Sequence, residues 1–156
     1  MNPLDFLQTA RDLATSSARR PRQTNLRRAV STTYYALFHC VAKCCADMVV
    51  GGAGSDRSRP AWRQTYRALG HGTARKRCEQ RKNIRRFPTE IQDLANVFVD
   101  MQKKRHGADY DPDAVFPKRD VLQDIHEAET VIRGFPAASA KDRRAFAVYL
   151  LLDIRT

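Results

Sequence analysis

The sequence predicts an all-α protein, an up-and-down helical bundle of four main helices with extra short helices, folded as a single domain over residues 1–156. Apolar side chains recur three and four positions apart through every long segment, and nowhere does the period-two alternation of a half-buried strand compete. Turn-forming residues, among them Gly51, Gly52, Pro88, Pro112 and Pro117, fall between the periodic segments. With 42% hydrophobic residues in 156, the chain can bury one modest core. No apolar run reaches the length of a membrane span.

Pro3 suits the first turn of a helix that extends to about Ala18 and gathers Phe6, Leu7, Ala10, Leu13 and Ala14 on one side. The run Arg19, Arg20, Pro21, Arg22 ends it. A long second helix begins near Thr24 and reaches about Val50, where Gly51 and Gly52 stop it. Val30, Tyr34, Leu37, Val41, Cys44 and Met48 form its core stripe, widened by Ala29, Thr33, Ala36 and Cys40. Such a helix belongs at the centre of a bundle or against a second subunit. GGAGSDRSRP is a loop by composition, and a short helix over 60–69 carries Trp62, Tyr66 and Leu69. Residues 73–86 read as a basic helical segment that stops before Pro88. Helices over 88–110 and 118–134 follow, separated by the turn DYDPDAVFP; the second holds Val121, Leu122, Ile125, Ala128 and Ile132. Beyond FPAAS, with Ser139 as cap, an extra C-terminal helix over 139–154 carries Phe146, Tyr149, Leu150 and Leu152.

One residue breaks the pattern. Ile91, Leu94, Phe98 and Met101 share a face of the 88–110 helix, and the next position on that face is Arg105, with Asp109 one turn later. A guanidinium is rarely set on a core-facing stripe unless it is paired or used. The segment RHGADYD is therefore a candidate site. The structural alternative is an Arg105–Asp109 ion pair that ties down the following loop, with Tyr110 against the core. On the second helix a narrow polar stripe of Arg28, Thr32, Tyr35 and His39 is spaced to face that motif across the bundle. Equally, Tyr35 and His39 can serve as amphipathic fillers with hydrogen-bonded tips.

The charge balance, 28 Lys and Arg against 17 Asp and Glu, favours a polyanionic partner, or else reflects only solubility. Its densest stretch is TARKRCEQRKNIRRF, where Arg75, Lys82 and Arg86 fall on one helical stripe and Arg77, Arg81 and Arg85 on another. Such density suits phosphate contacts, which give affinity without base readout; a solvated charged face is the plainer reading. Four cysteines and no recognisable export signal point to reduced thiols and a cytoplasmic protein. Cys40 and Cys44 share a helix face beside His39, but neither Cys78 nor His71 completes a metal-ligand spacing, so no metal is expected. GGAGSD lacks the lysine of a phosphate-binding loop, and no cofactor is implied.

Two blocks carry a resemblance. RRAVSTTYYALFH (27–39) and RHGADYDP (105–112), followed by an amphipathic helix, resemble the HEPN domain family of small bacterial proteins, over about residues 4–135. The resemblance implies a bundle of four or five helices, commonly a homodimer, in proteins often encoded beside a nucleotidyltransferase-like partner. It further implies a nucleotide- or RNA-binding member of a toxin–antitoxin or nucleotidyltransferase-associated system. Alternatives are a metal-independent endoribonuclease toxin using Arg105, and a non-catalytic dimerisation module whose terminal segment, 146–154, supplies the interface. The ribonuclease members are similar to one another in an Arg followed, after four to six residues, by a His. Arg105 matches the arginine, but the corresponding positions hold Tyr110, Asp111 and Pro112. A phenol titrates near pH ~10 and is a poorer base than imidazole. His106, adjacent to Arg105, projects about 100° around the helix from it. In the catalytic alternative Arg105 grips the scissile phosphate with its fork, Asp109 orients it, and Tyr110 or His39 handles a proton.

Overall fold

The computed structural model describes residues 1–17 and 19–155; Ala18, the expected end of the first helix, lies outside the described residues. The helices are α1 (Pro3–Ala14), α2 (Gln23–Val49), α3 (Arg59–Ala68), α4 (His71–Glu79), α5 (Arg81–Ile84), α6 (Thr89–Tyr110), α7 (Lys118–Gly134) and α8 (Ala140–Leu151). No strand occurs among the described residues.

Their ends follow from local chemistry. The Asn2 side chain accepts from the Leu4 N–H at 3.1 Å and Pro3 fills the first turn of α1. Ser58 caps α3 and Ser139 caps α8 in the same way, the latter accepting from the Asp142 N–H at 3.1 Å. α1 ends short of the expected boundary because hydroxyls take over its last carbonyls: Thr15 Oγ1 donates to Arg11 O at 2.7 Å, and Ser16 Oγ to Leu13 O at 3.0 Å.

The basic segment departs more seriously from its sequence reading. It is two helices, broken at Gln80, whose backbone (φ −75°, ψ 82°) is not helical. In a continuous helix Cys78 and Ile84, six residues apart, would point roughly 120° apart. The break lets both be buried. The two expected stripes, Arg75/Lys82/Arg86 and Arg77/Arg81/Arg85, are therefore not continuous faces of one helix.

Cross-helix contacts give the topology. Asn25 bonds Ser16 and Phe6 stacks on His39, so α1 runs antiparallel to α2. Along α2, Arg27 meets the backbone at 108–114, Ser31 meets Asp109, Tyr35 meets Arg105, and Tyr34 packs on Phe98, so α6 is antiparallel too. Lys104 bonds Asp124, which brings α7 back alongside α6. The four long elements α1, α2, α6 and α7 thus alternate in direction, as expected of an up-and-down bundle. α2 is its hub, touching α1, α3, α6, α7 and α8. The core is built on Tyr34, Leu37, Phe98, Met101, Ile125, Phe146 and Leu150, all sealed from water. No helix among the described residues is long and apolar enough to cross a membrane.

Candidate functional site

The stripe that leads to Arg105 behaves as its spacing requires. Ile91, Leu94, Phe98 and Met101 are buried, and the Arg105 side chain follows them inward to 15% exposure. Its guanidinium carbon lies 5.0 Å from the centre of the Tyr34 ring and 5.9 Å from that of Tyr35, within cation–π range of both. Nη1 donates to the Tyr35 hydroxyl at 3.4 Å, a long bond, and the buried Nε has no partner among the described residues.

Asp109 only partly compensates this charge. Its Oδ2 sits 3.7 Å from the guanidinium, outside hydrogen-bond range, while Oδ1 accepts from the Ser31 hydroxyl at 2.5 Å. Arg105 therefore carries a cation into a mostly apolar, aromatic setting with no carboxylate bonded to it. A second buried orphan, Gln102 Oε1, lies one turn earlier on α6, on a side chain whose amide donates to His71 O at 3.1 Å.

The loop after α6 is held from α2. The Arg27 guanidinium donates to the carbonyls of Ala108 (3.1 Å), Asp111 (2.7 Å), Pro112 (3.1 Å) and Ala114 (2.5 Å). Gln23 adds a reciprocal pair with the Phe116 backbone, accepting from its N–H at 2.9 Å and donating to its carbonyl at 3.0 Å. The Ala108 carbonyl is one that the end of α6 leaves unpaired, and the others belong to the cap and the loop beyond it. These contacts fix the turn without using Tyr110.

An imidazole does approach Arg105, but from a residue considered in the sequence only as a distant metal ligand. His71, the first residue of α4, stacks on Phe38 at 3.9 Å, meets Tyr35 edge-on at 6.2 Å and hydrogen-bonds through Nδ1 to the Tyr34 hydroxyl at 2.6 Å. Burial, and secondarily the Arg105 charge, hold its pKa below the ordinary histidine value, so the ring is neutral near pH 7. Burial raises the pKa of Tyr34, which stays a phenol. The Tyr34 hydroxyl has no other partner among the described residues, so its proton is satisfied only by donation to Nδ1, which assigns the ring proton to Nε2. His71 is thereby set as a hydrogen-bond donor rather than a base. No spacing in the chain signals this approach, because it depends on α3 and the turn at Leu69 and Gly70.

The other candidate residues separate into groups. Tyr35 faces Arg105, whereas Arg28 is exposed to solvent. His39 bonds Tyr66 through Nδ1 and stacks on Phe6 at 4.9 Å; burial lowers its pKa. It joins the same aromatic cluster through Tyr35, at 6.4 Å between rings. Tyr110 is 67% exposed beside His106, which corrects the expectation that it packs against the core.

In the basic segment, Arg77 is 14% exposed and engaged: it donates to Tyr149 O and Leu152 O and pairs with Asp153, fastening the end of α8. Arg75 pairs with Glu79 at 3.4 Å, while Arg81, Lys82, Arg85 and Arg86 are exposed. Phe146 and Leu150 are buried in the chain's own core, so the terminal segment offers only Val148, Leu152 and Ile154 as exposed apolar groups. Cys40, Cys44, Cys45 and Cys78 are free thiols. Burial pushes the thiols of Cys44 and Cys78 up to about 11 and about 12. No cluster of potential metal ligands occurs among the described residues.

Family models, curated proteins and solved structures were compared with the chain, and none matches it.

Proposed function

We propose that this chain is a HEPN-like helical module that binds a phosphate group of RNA or of a nucleotide at Arg105. The observation that carries this reading is the incompletely compensated guanidinium. It is mostly buried, hydrogen-bonded among the described residues only to the Tyr35 hydroxyl, and its nearby carboxylate is bonded to Ser31. A cation in that state gains from a mobile anion that brings its own oxygens. Tyr35 and the Nε2–H of His71 are further donors in the same cluster, and the chain's excess of basic residues draws polyanions towards it. Exposed Arg81, Lys82, Arg85 and Arg86 add contacts that do not read sequence.

The test is fluorescence anisotropy with a short single-stranded RNA at two salt concentrations, for the wild type and Arg105→Met, with melting temperature recorded in parallel. The expected result is salt-sensitive binding that weakens about tenfold or more on substitution, beyond any loss of folded protein. Binding that ignores both salt and the substitution refutes the reading.

A metal-independent ribonuclease is the second reading, favoured by the approach of His71 to Arg105. The hydrogen bond from Tyr34 weighs against it, since a neutral ring protonated at Nε2 takes up no proton there. RNA cleavage in the presence of a chelator, lost in His71→Asn, would decide for catalysis. The resemblance also suggests a homodimer and a nucleotidyltransferase-like partner. Sedimentation of the purified chain and its co-expression with such a protein test those two points.

A further inference from the structure

A second site lies where α4 and α5 pack against α6. A cleft of about 470 Å³ opens between α4–α5 and α6, lined on one wall by Glu79, Arg81 and Arg85 and on the other by Gln92, Asn96, Asp100 and Lys103. This volume is within the roughly 300–1,000 Å³ of small-molecule sites. Its floor is apolar and buried: Cys78, Ile84 and Val99. The break at Gln80 creates this shape, because it turns Ile84 inward and leaves Arg81 and Arg85 at the rim.

The polar groups differ in what they have left to offer. Lys103 and Arg75 share Glu79, at 3.7 and 3.4 Å, so the charges of Glu79 and Lys103 are already partnered. Arg81 and Arg85 have no ion-pair partner among the described residues, so two guanidiniums face the opening uncompensated. On α6, Gln92, Asn96 and Asp100 recur every four residues along one face. The Gln92 amide nitrogen is used, donating to Phe87 O at 2.7 Å, which leaves its carbonyl oxygen as the free end. Asp100 is exposed, and a carboxylate only accepts. The α6 wall therefore sets a carboxylate, which only accepts, one turn from the Asn96 amide, which both donates and accepts, while Arg81 and Arg85 bring positive charge to the opening.

We propose that this cleft binds a guanine mononucleotide. The two guanidiniums take the phosphate, the apolar floor takes a face of the base, and Asp100 with the Asn96 amide reads its edge. Guanine presents adjacent ring N–H and amino donors that match a carboxylate. Uracil has a single ring donor between two carbonyls, so the second oxygen of the same carboxylate meets a carbonyl and repels it. The inference concerns a site separate from Arg105 and does not depend on how that site is read.

The experiment titrates guanosine monophosphate, uridine monophosphate and inorganic phosphate into the full-length, ¹⁵N-labelled chain. The expected result is movement of the amide signals of Cys78, Ile84, Asn96 and Val99 with the guanine nucleotide. The signals of Tyr35 and Asp109, which report on the Arg105 site, stay in place. Uridine monophosphate and phosphate bind about tenfold or more weakly. The double variant Arg81→Gln, Arg85→Gln loses at least about tenfold in affinity, and Asp100→Asn abolishes the preference for guanine over uracil. All three substitutions are at exposed positions, and circular dichroism checks that each variant folds. Equal affinity for the nucleotide and for phosphate, signal changes confined to the Arg105 site, or full affinity in the double variant overturns the proposal.

Discussion

Replacing Arg27 by Met should loosen the end of α6 and the whole turn behind it. One guanidinium there donates to four carbonyls, two of them part-buried and two in contact with water. A hydrogen bond to a charged group contributes roughly 1.5–3 kcal/mol net. The four bonds share one cation, and water can reach the freed carbonyls, so the values do not sum; about 2–3 kcal/mol is the expected loss. The same cation faces the negative end of α6, a contribution of the same sign. In a domain of this size 1 kcal/mol corresponds to about 2–4 °C, giving a fall in melting temperature of about 5–10 °C. Arg27→Lys keeps the charge but not the fork and should lose about half as much. Thermal unfolding followed by circular dichroism measures the loss, and hydrogen exchange at residues 108–116 shows whether it is local. A melting temperature within about 2 °C of the wild type, with exchange unchanged, refutes the assignment of Arg27 as the tether.

Two further perturbations have a definite sign. Burial raises the pKa of Asp124 above the ordinary carboxyl value despite its bond to Lys104, so its charged form opposes folding at neutral pH. Asp124→Asn should therefore match or exceed wild-type stability at pH 7, an advantage that fades as pH falls through the raised native pKa and is gone below about pH 4, the unfolded value. Lys104→Met should instead lower the urea midpoint, because it strands a carboxylate that is 8% exposed. The histidines act in the other direction. His39 and His71 have depressed folded-state pKa values, so their contribution is complete above the unfolded value of about 6.5 and is lost as pH falls from there. Melting temperatures between pH 7 and pH 5 should drop less steeply in His39→Gln and in His71→Gln than in the wild type.

Much of the fold is legible because helical periodicity is a local property. The α7 boundaries, the Ser139 cap and the inward course from Ile91 to Arg105 all follow from spacing alone. The polar stripe on α2 identified Tyr35 as a neighbour of Arg105, since two antiparallel helices meet at a predictable level. What spacing does not carry is the competition between a helix and its surroundings. The break at Gln80 costs a turn of backbone hydrogen bonding and is offset by burying Ile84 and Cys78 together, a gain visible only once α6 lies beneath them. His71 was hidden for a related reason. Its approach depends on where α3 sets down the chain, and the free energy of that placement comes from side chains such as Trp62 and Tyr66 bonding Asp47 and His39 on α2. The role of Arg77 as a clamp on α8 likewise depends on a partner more than seventy residues away.

The Arg105 cluster is assembled from parts of unequal firmness. Arg105, Tyr34 and Tyr35 stand on the two long helices that share the central core, where opening requires something close to global unfolding. His71 stands at the tip of a nine-residue helix, behind a short turn and next to a ten-residue helix with no fully buried side chain. If the cluster changes shape to admit a ligand, the aromatic and cationic floor stays still while α3, joined to α4 through Leu69 and Gly70, is the element that gives way. The seal over the site and the affinity of the site would then be separable traits, open to change independently by substitutions on two different pieces of the chain.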